Sequence, residues 1–121
     1  MTLGDLIKTM GLFDRDARVI ISAPLVMYPG EPNSYRGFYE QLAFEPLTDG
    51  DPPLVSDFLA TLEAANGATF TGYKGGKFKM DLSTRVWISQ YGKSAPWSAR
   101  ITGVTNLWDS YARIDWRKTE D

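Results

Sequence analysis

The apolar positions of this chain fall into two helical stripes and a series of short strands. Leu3, Leu6, Ile7 and Met10 share one helical face. Thr2 precedes them as an N-cap with Asp5 in the first turn, and Gly11 supplies a stop. A second stripe, Val55, Phe58, Leu59, Leu62 and Ala65, predicts the clearest helix, over 52–66. Asp51 and Pro52 suit its N-cap and first position, and Gly67 closes it after Asn66. The segment "ARVIISA" (17–23) is β-branched and apolar on both faces, the pattern of a central strand. Residues 24–34 carry three prolines and a glycine, which predicts a loop or an irregular edge.

From Gly37 to Glu45 the chain alternates, with Phe38, Leu42 and Phe44 on one side and Tyr39, Gln41 and Glu45 on the other. Further strands are predicted at about 69–73, 77–81, 85–91, 99–104 and 111–117, divided by "KGG", "DLS", "YGKSAP" and "TNLWDS". The order predicts a single α+β domain over 1–121, with two helices packed on one face of a mostly antiparallel sheet of about five to six strands. The first helix and "VSDFLATLEA" echo each other faintly, as a decayed duplication or as two answers to one packing demand.

Composition narrows the chemistry. Of 121 residues, 43% are hydrophobic and 23% charged, so a globular core is expected. A net charge of −2 argues against general nucleic-acid binding. With no cysteine and no histidine, disulfides, thiolate chemistry, Ser-His-Asp catalysis and the usual zinc sites are excluded. No basic-then-apolar leader and no apolar run of roughly 20 residues is present, so neither a signal peptide nor a membrane span is expected.

Two triplets draw attention, Tyr35-Arg36-Gly37 and Tyr73-Lys74-Gly75, the second extended by Gly76. A glycine beside a basic side chain lets backbone N–H groups approach an anion, while tyrosine offers a stacking face. Together they would suit a ligand bearing a phosphate and a base. "YKGGK" is no Walker motif, since the spacing and the following helix are missing. The plainer reading makes Gly75-Gly76 a hairpin turn with solvated lysines and packed tyrosines. Trp87 and Tyr91 face the same side of one predicted strand; if Val86 and Ile88 form the core face, Trp87, Ser89 and Tyr91 look outward as a platform. If the helices cover that face, Trp87 is core. Glu40, Glu45, Asp81, Asp109 and Asp115 show no spacing that converges on a catalytic pair or a cation, and no metal or cofactor is expected.

"SYRGFYEQLAFEP" and "TFTGYKGGKFKMDLSTRVWIS" resemble a poorly characterised family of small bacteriophage and prophage proteins. The matching positions are Ser34-Tyr35-Arg36-Gly37, Tyr39, Leu42-Ala43, Glu45, Gly72-Tyr73-Lys74-Gly75-Gly76, Met80, Thr84 and Val86-Trp87. The likeness covers roughly residues 3–104, and "NLWDSYARIDWRKTED" departs from it. The resemblance implies a phage protein acting in the cytoplasm of a host bacterium, in a setting where small non-enzymatic proteins antagonise host defence. Two functions are therefore expected, in order. The first is capture of a small nucleotide-like ligand, with Arg36 and Lys74 as anion clamps, Gly37, Gly75 and Gly76 as cradle, and Tyr35, Tyr39, Tyr73, Trp87 and Tyr91 around the base. The second is direct inhibition of a host defence protein through the same aromatic and basic residues. A hydrolase using Glu40 or Asp81 is a weaker third. A homodimer through the helix stripes competes with their use in covering the sheet.

Overall fold

Thr2 and Asp5 begin the first helix by exchanging side chains for backbone. Thr2 Oγ1 accepts the Asp5 N–H at 3.1 Å, and Asp5 Oδ2 accepts the Thr2 N–H at 3.1 Å. Helix starts leave such N–H groups without partners, and the reciprocal cap satisfies two of them. In this computed structural model, which describes residues 1–21, 26–35, 40–72, 74–89 and 99–118, α1 spans Leu3–Met10 and buries Leu3, Leu6 and Met10. It stops at Gly11 as expected, although the glycine keeps right-handed backbone, at φ −64°.

The strands β1 (Arg18–Ile20), β2 (Tyr28–Ser34), β3 (Leu42–Leu47), β6 (Val86–Ile88), β7 (Ala99–Leu107) and β8 (Tyr111–Lys118) form one sheet in the order β1-β8-β7-β6-β3-β2. The pairs β2–β3, β6–β7 and β7–β8 are antiparallel; β1–β8 and β3–β6 are parallel. Between β3 and β6 lie α2 (Val55–Ala65) and a separate hairpin of β4 (Thr69–Thr71) and β5 (Lys77–Lys79). The α+β class stands, but the sheet is not an open layer. Its two ends curl toward each other into a near-barrel, where the Ile21 N–H donates to the Met27 carbonyl at 2.7 Å, just before β2.

That curl explains an expectation only half met. β1 is an end strand, not a central one. Its free edge is nevertheless occupied: Val19 N–H donates to Pro53 O at 2.8 Å and Val55 N–H to Ala17 O at 2.8 Å. Val19, Ile20 and Ile21 are accordingly buried on both faces. The same pairing moves the start of α2. Residues 52 and 53 serve β1 rather than a helical first turn, so α2 begins at Val55 behind Leu54, with no side-chain cap. Its apolar stripe is the predicted one, and Gly67 follows it at φ +83°. The proline-rich 28–34 stretch is an edge strand carrying an irregularity between Pro29 and Pro32, which accommodates residues that donate no ladder bond.

One core fills the concave side. Leu3, Leu6 and Met10 of α1 and Val55, Phe58, Leu59 and Leu62 of α2 meet the inward residues Leu42, Phe44, Val86, Ile88, Ile101 and Ile114. Phe44 is fully buried, with its ring 5.3 Å from that of Phe58. Among the described residues no helix is long and apolar enough to cross a membrane. The β7–β8 turn is strained: Trp108 and Asp109 sit at φ +53° and +58°, closed by Ser110 N–H to Leu107 O at 3.2 Å. Left-handed backbone costs an L-residue with a bulky side chain roughly 1–2 kcal/mol, and such turns usually carry Asn-Gly.

Truncating the central ring should be the severest test of this core: Phe44→Ala is expected to lower unfolding free energy by about 3–5 kcal/mol in urea titrations. The cap generates a pH prediction. The backbone N–H of Thr2, and then its hydroxyl, hold the Asp5 carboxyl below its usual value. A depressed folded value gives stability that is present above the ordinary carboxylate range and lost as pH falls through the folded one. Asp5→Asn should therefore cost stability at neutral pH and flatten the loss of Tm on acidification.

Candidate functional site

Alternation along β6 places Val86 and Ile88 in the core, at 1% and 0% exposure, and turns Trp87 to the convex face. The strand pairing then sets its neighbours. Trp87 is registered with Ala43 on β3 and Arg100 on β7, Ala43 with Asn33 on β2, and Arg100 with Arg117 on β8. Paired residues project to the same face of a sheet. An outward row thus runs Asn33, Ala43, Trp87, Arg100, Arg117 across five strands. One step along lie Gln41 and Arg85, and Tyr35 N–H donates to Gln41 O at 2.6 Å.

Tyr35 and Trp87 do come together. Their rings stack with centroids 4.3 Å apart and 18° between planes. They are not, however, two platforms flanking a gap. Tyr35 is 7% exposed and lies on one face of the half-buried indole, so it closes that face instead of offering its own. Ser89, expected to look outward with Trp87, is buried at 2%. Three polar atoms in this region, Trp87 Nε1, Gln41 Oε1 and Ser34 Oγ, are buried without a hydrogen-bond partner among the described residues. Unpaired buried donors and acceptors are uncommon and call for a reason.

Charge sets the character of the face. Arg85, Arg100 and Arg117 are exposed, and none has an ion pair among the described residues. Asp115 on β8 is already engaged, accepting from Arg113 Nε at 3.3 Å and from Thr105 Oγ1 at 2.6 Å. Glu45 shares the outward side of β3 two residues beyond Ala43. Among the described residues of this face, three exposed arginines stand against Glu45, on a chain whose total charge is negative.

The turn expected at Gly75-Gly76 is present; Tyr73 lies outside the described residues. Lys74, Gly75 and Gly76 form the exposed turn of the β4–β5 hairpin, with Gly75 at φ +87° and its N–H donated to Gly72 O at 3.0 Å. That hairpin is a sheet of its own, apart from the one that carries Trp87. Arg36, Gly37, Tyr39, Tyr73 and Tyr91 lie outside the described residues. Sequence reading missed Arg100, Arg117 and Gln41. The flanking core residues Ala99 and Ile101 marked Arg100 as outward, but only the pairing of β6 with β7 sets it beside the indole.

Glu40 and Asp81 are the carboxylates the sequence offered for hydrolysis. Glu40 is exposed, and Asp81 accepts from the Ser83 hydroxyl at 2.6 Å and the Ser83 N–H at 2.8 Å. Those bonds hold its carboxyl below the usual value, the wrong direction for a proton donor near neutral pH. A cavity of about 240 Å³ opens between β2 and α2, lined by Tyr28, Glu31, Asp51, Asp57, Phe58 and Thr61 among others. Three carboxylates there repel a phosphate. In comparisons with known proteins, no family model matches this chain, and neither a curated protein nor a solved structure does.

A double-mutant cycle reads the stack directly. Tyr35→Ala and Trp87→Ala are expected to couple by about 0.5–1.5 kcal/mol in stability, beyond the area each ring buries.

Proposed function

We propose that the convex face around Trp87 binds a small ligand carrying a base and a phosphate, and that the protein is a capture module rather than an enzyme. What supports this is the coincidence, in one registered row, of a stacked indole with two exposed arginines that have no ion pair among the described residues. A base lies on the part of the indole that Tyr35 leaves open, a contact worth about 1–3 kcal/mol. Arg100 and Arg117 meet the phosphate, each charge-assisted bond adding about 1.5–3 kcal/mol. The orphaned Trp87 Nε1 donor and Gln41 Oε1 acceptor meet the polar edge of the ligand. Tyr35 acts by holding the indole in place. Within the bacteriophage setting that the resemblance implies, the captured molecule is a nucleotide signal of the host.

A thermal-shift screen against linear and cyclic nucleotides tests this reading. At least one nucleotide should raise Tm, with an affinity that weakens as salt is added. Arg100→Ala and Arg117→Ala should each lower affinity about tenfold, as expected for a lost charge-assisted bond. Lys74→Ala should leave it unchanged. A screen without any shift would falsify the proposal.

A further inference from the structure

Leu12 and Trp108 are the most exposed large apolar side chains among the described residues, at 83% and 73%. They stand far apart in sequence and at one place in the fold. The connection after α1 packs against the β7–β8 turn, where Arg18 N–H donates to Ser110 O at 3.0 Å. Between the two segments is a cavity of about 460 Å³, lined by Leu12, Phe13, Asp14, Ala17, Asn106 and Asp109. Trp108 immediately precedes Asp109 in the turn, and Asn106 lies at the end of β7.

The turn is built against its own preference. Two consecutive left-handed residues usually select Asn-Gly, and here the first is a tryptophan. The backbone is held there by Ser110 N–H to Leu107 O, and Asn106 Nδ2 donates to Asp109 Oδ1 at 3.0 Å. The indole receives little in return. Its ring makes an edge contact with Tyr111, centroids 6.3 Å apart at 81°, and otherwise faces solvent. Stability would be better served by asparagine, so the tryptophan answers to something outside the fold.

We infer that this end of the molecule docks a basic, apolar segment of a partner protein: an aliphatic or aromatic side chain enters the cavity, and a neighbouring Lys or Arg meets Asp14 and Asp109, beside the turn that carries Trp108. Charge chooses the partner. The floor is apolar, the charged lining is two carboxylates, and the lining holds no cation. A second copy related by a two-fold axis would set those carboxylates against themselves. An anionic membrane surface is disfavoured for the same reason. Knobs as protruding as Leu12 and Trp108 fit a polypeptide surface better than an enclosed small molecule. The site shares no residue with the face around Trp87, so either can fail alone.

Panning a displayed random-peptide library on the whole protein, with counter-selection on Trp108→Asn, tests the inference. Recovered peptides should place Lys or Arg within two residues of a large apolar side chain. Resynthesised, they should lose about tenfold or more in affinity for Trp108→Asn and for Asp14→Asn, the size expected of a docking anchor. Trp108→Asn should also raise Tm by about 2–5 °C, because asparagine accepts left-handed backbone. A fall in Tm would show the indole to be structural and overturn the inference. So would acidic or charge-indifferent binders, a Trp108-dependent dimer in sedimentation, or binding to anionic phosphatidylserine vesicles in place of peptides.

Discussion

The hydrogen bonds that β1 makes along both of its edges hold the rest of this structure in place. On one side it runs parallel to β8; on the other it meets Met27, Pro53 and the start of α2. A strand so placed cannot lie at the rim of a flat sheet. It draws the first and last members of the sheet together and curls the whole into a near-barrel. The concave side becomes one small interior, which α1 and α2 supply with leucine, methionine and phenylalanine. The convex side is left to be read from outside. Its outward positions are mostly small or charged, and Trp87 is the departure among them.

Much of the fold was legible because local signals and packing agreed. The Thr2–Asp5 cap, the stripe of α2, the Gly75-Gly76 turn and the alternation at 86–88 needed nothing beyond nearby residues. Reading went astray wherever a distant partner decided. Asp51-Pro52 reads as a helix start, yet Pro53 is claimed by β1, and the helix waits for Val55. "YPGEPNS", read as a loop or an irregular edge, is the second of these, since its pairing with β3 keeps an irregularity between Pro29 and Pro32. The two-sided apolarity of β1 suggested a middle strand because it could not distinguish ladder neighbours from a lead-in to a helix.

The candidate site divides in the same way. That Trp87 faces outward followed from its neighbours' burial alone. That Tyr35 would settle on the indole, and that Arg100 and Arg117 would lie in one row with it, depended on register between strands far apart in sequence. The second tyrosine-led triplet was sound as turn chemistry at Gly75. It says little about which sheet a turn belongs to, and the β4–β5 hairpin belongs to its own. At the other end, Trp108 was visible as a turn residue, but its left-handed backbone was not, since tryptophan is among the last residues one would place there.

The parallel pairing of β1 with β8 has a bearing on how the chain is made. A ribosome releases Arg18–Ile20 long before Tyr111–Lys118, so the earliest strand must wait for the latest. During that wait "ARVIISA" is a short β-branched segment with one open edge, the kind that recruits other nascent chains. The Pro53–Val55 segment, which pairs with its opposite edge in the folded chain, is synthesised well before that final partner and is therefore available to cover half of it.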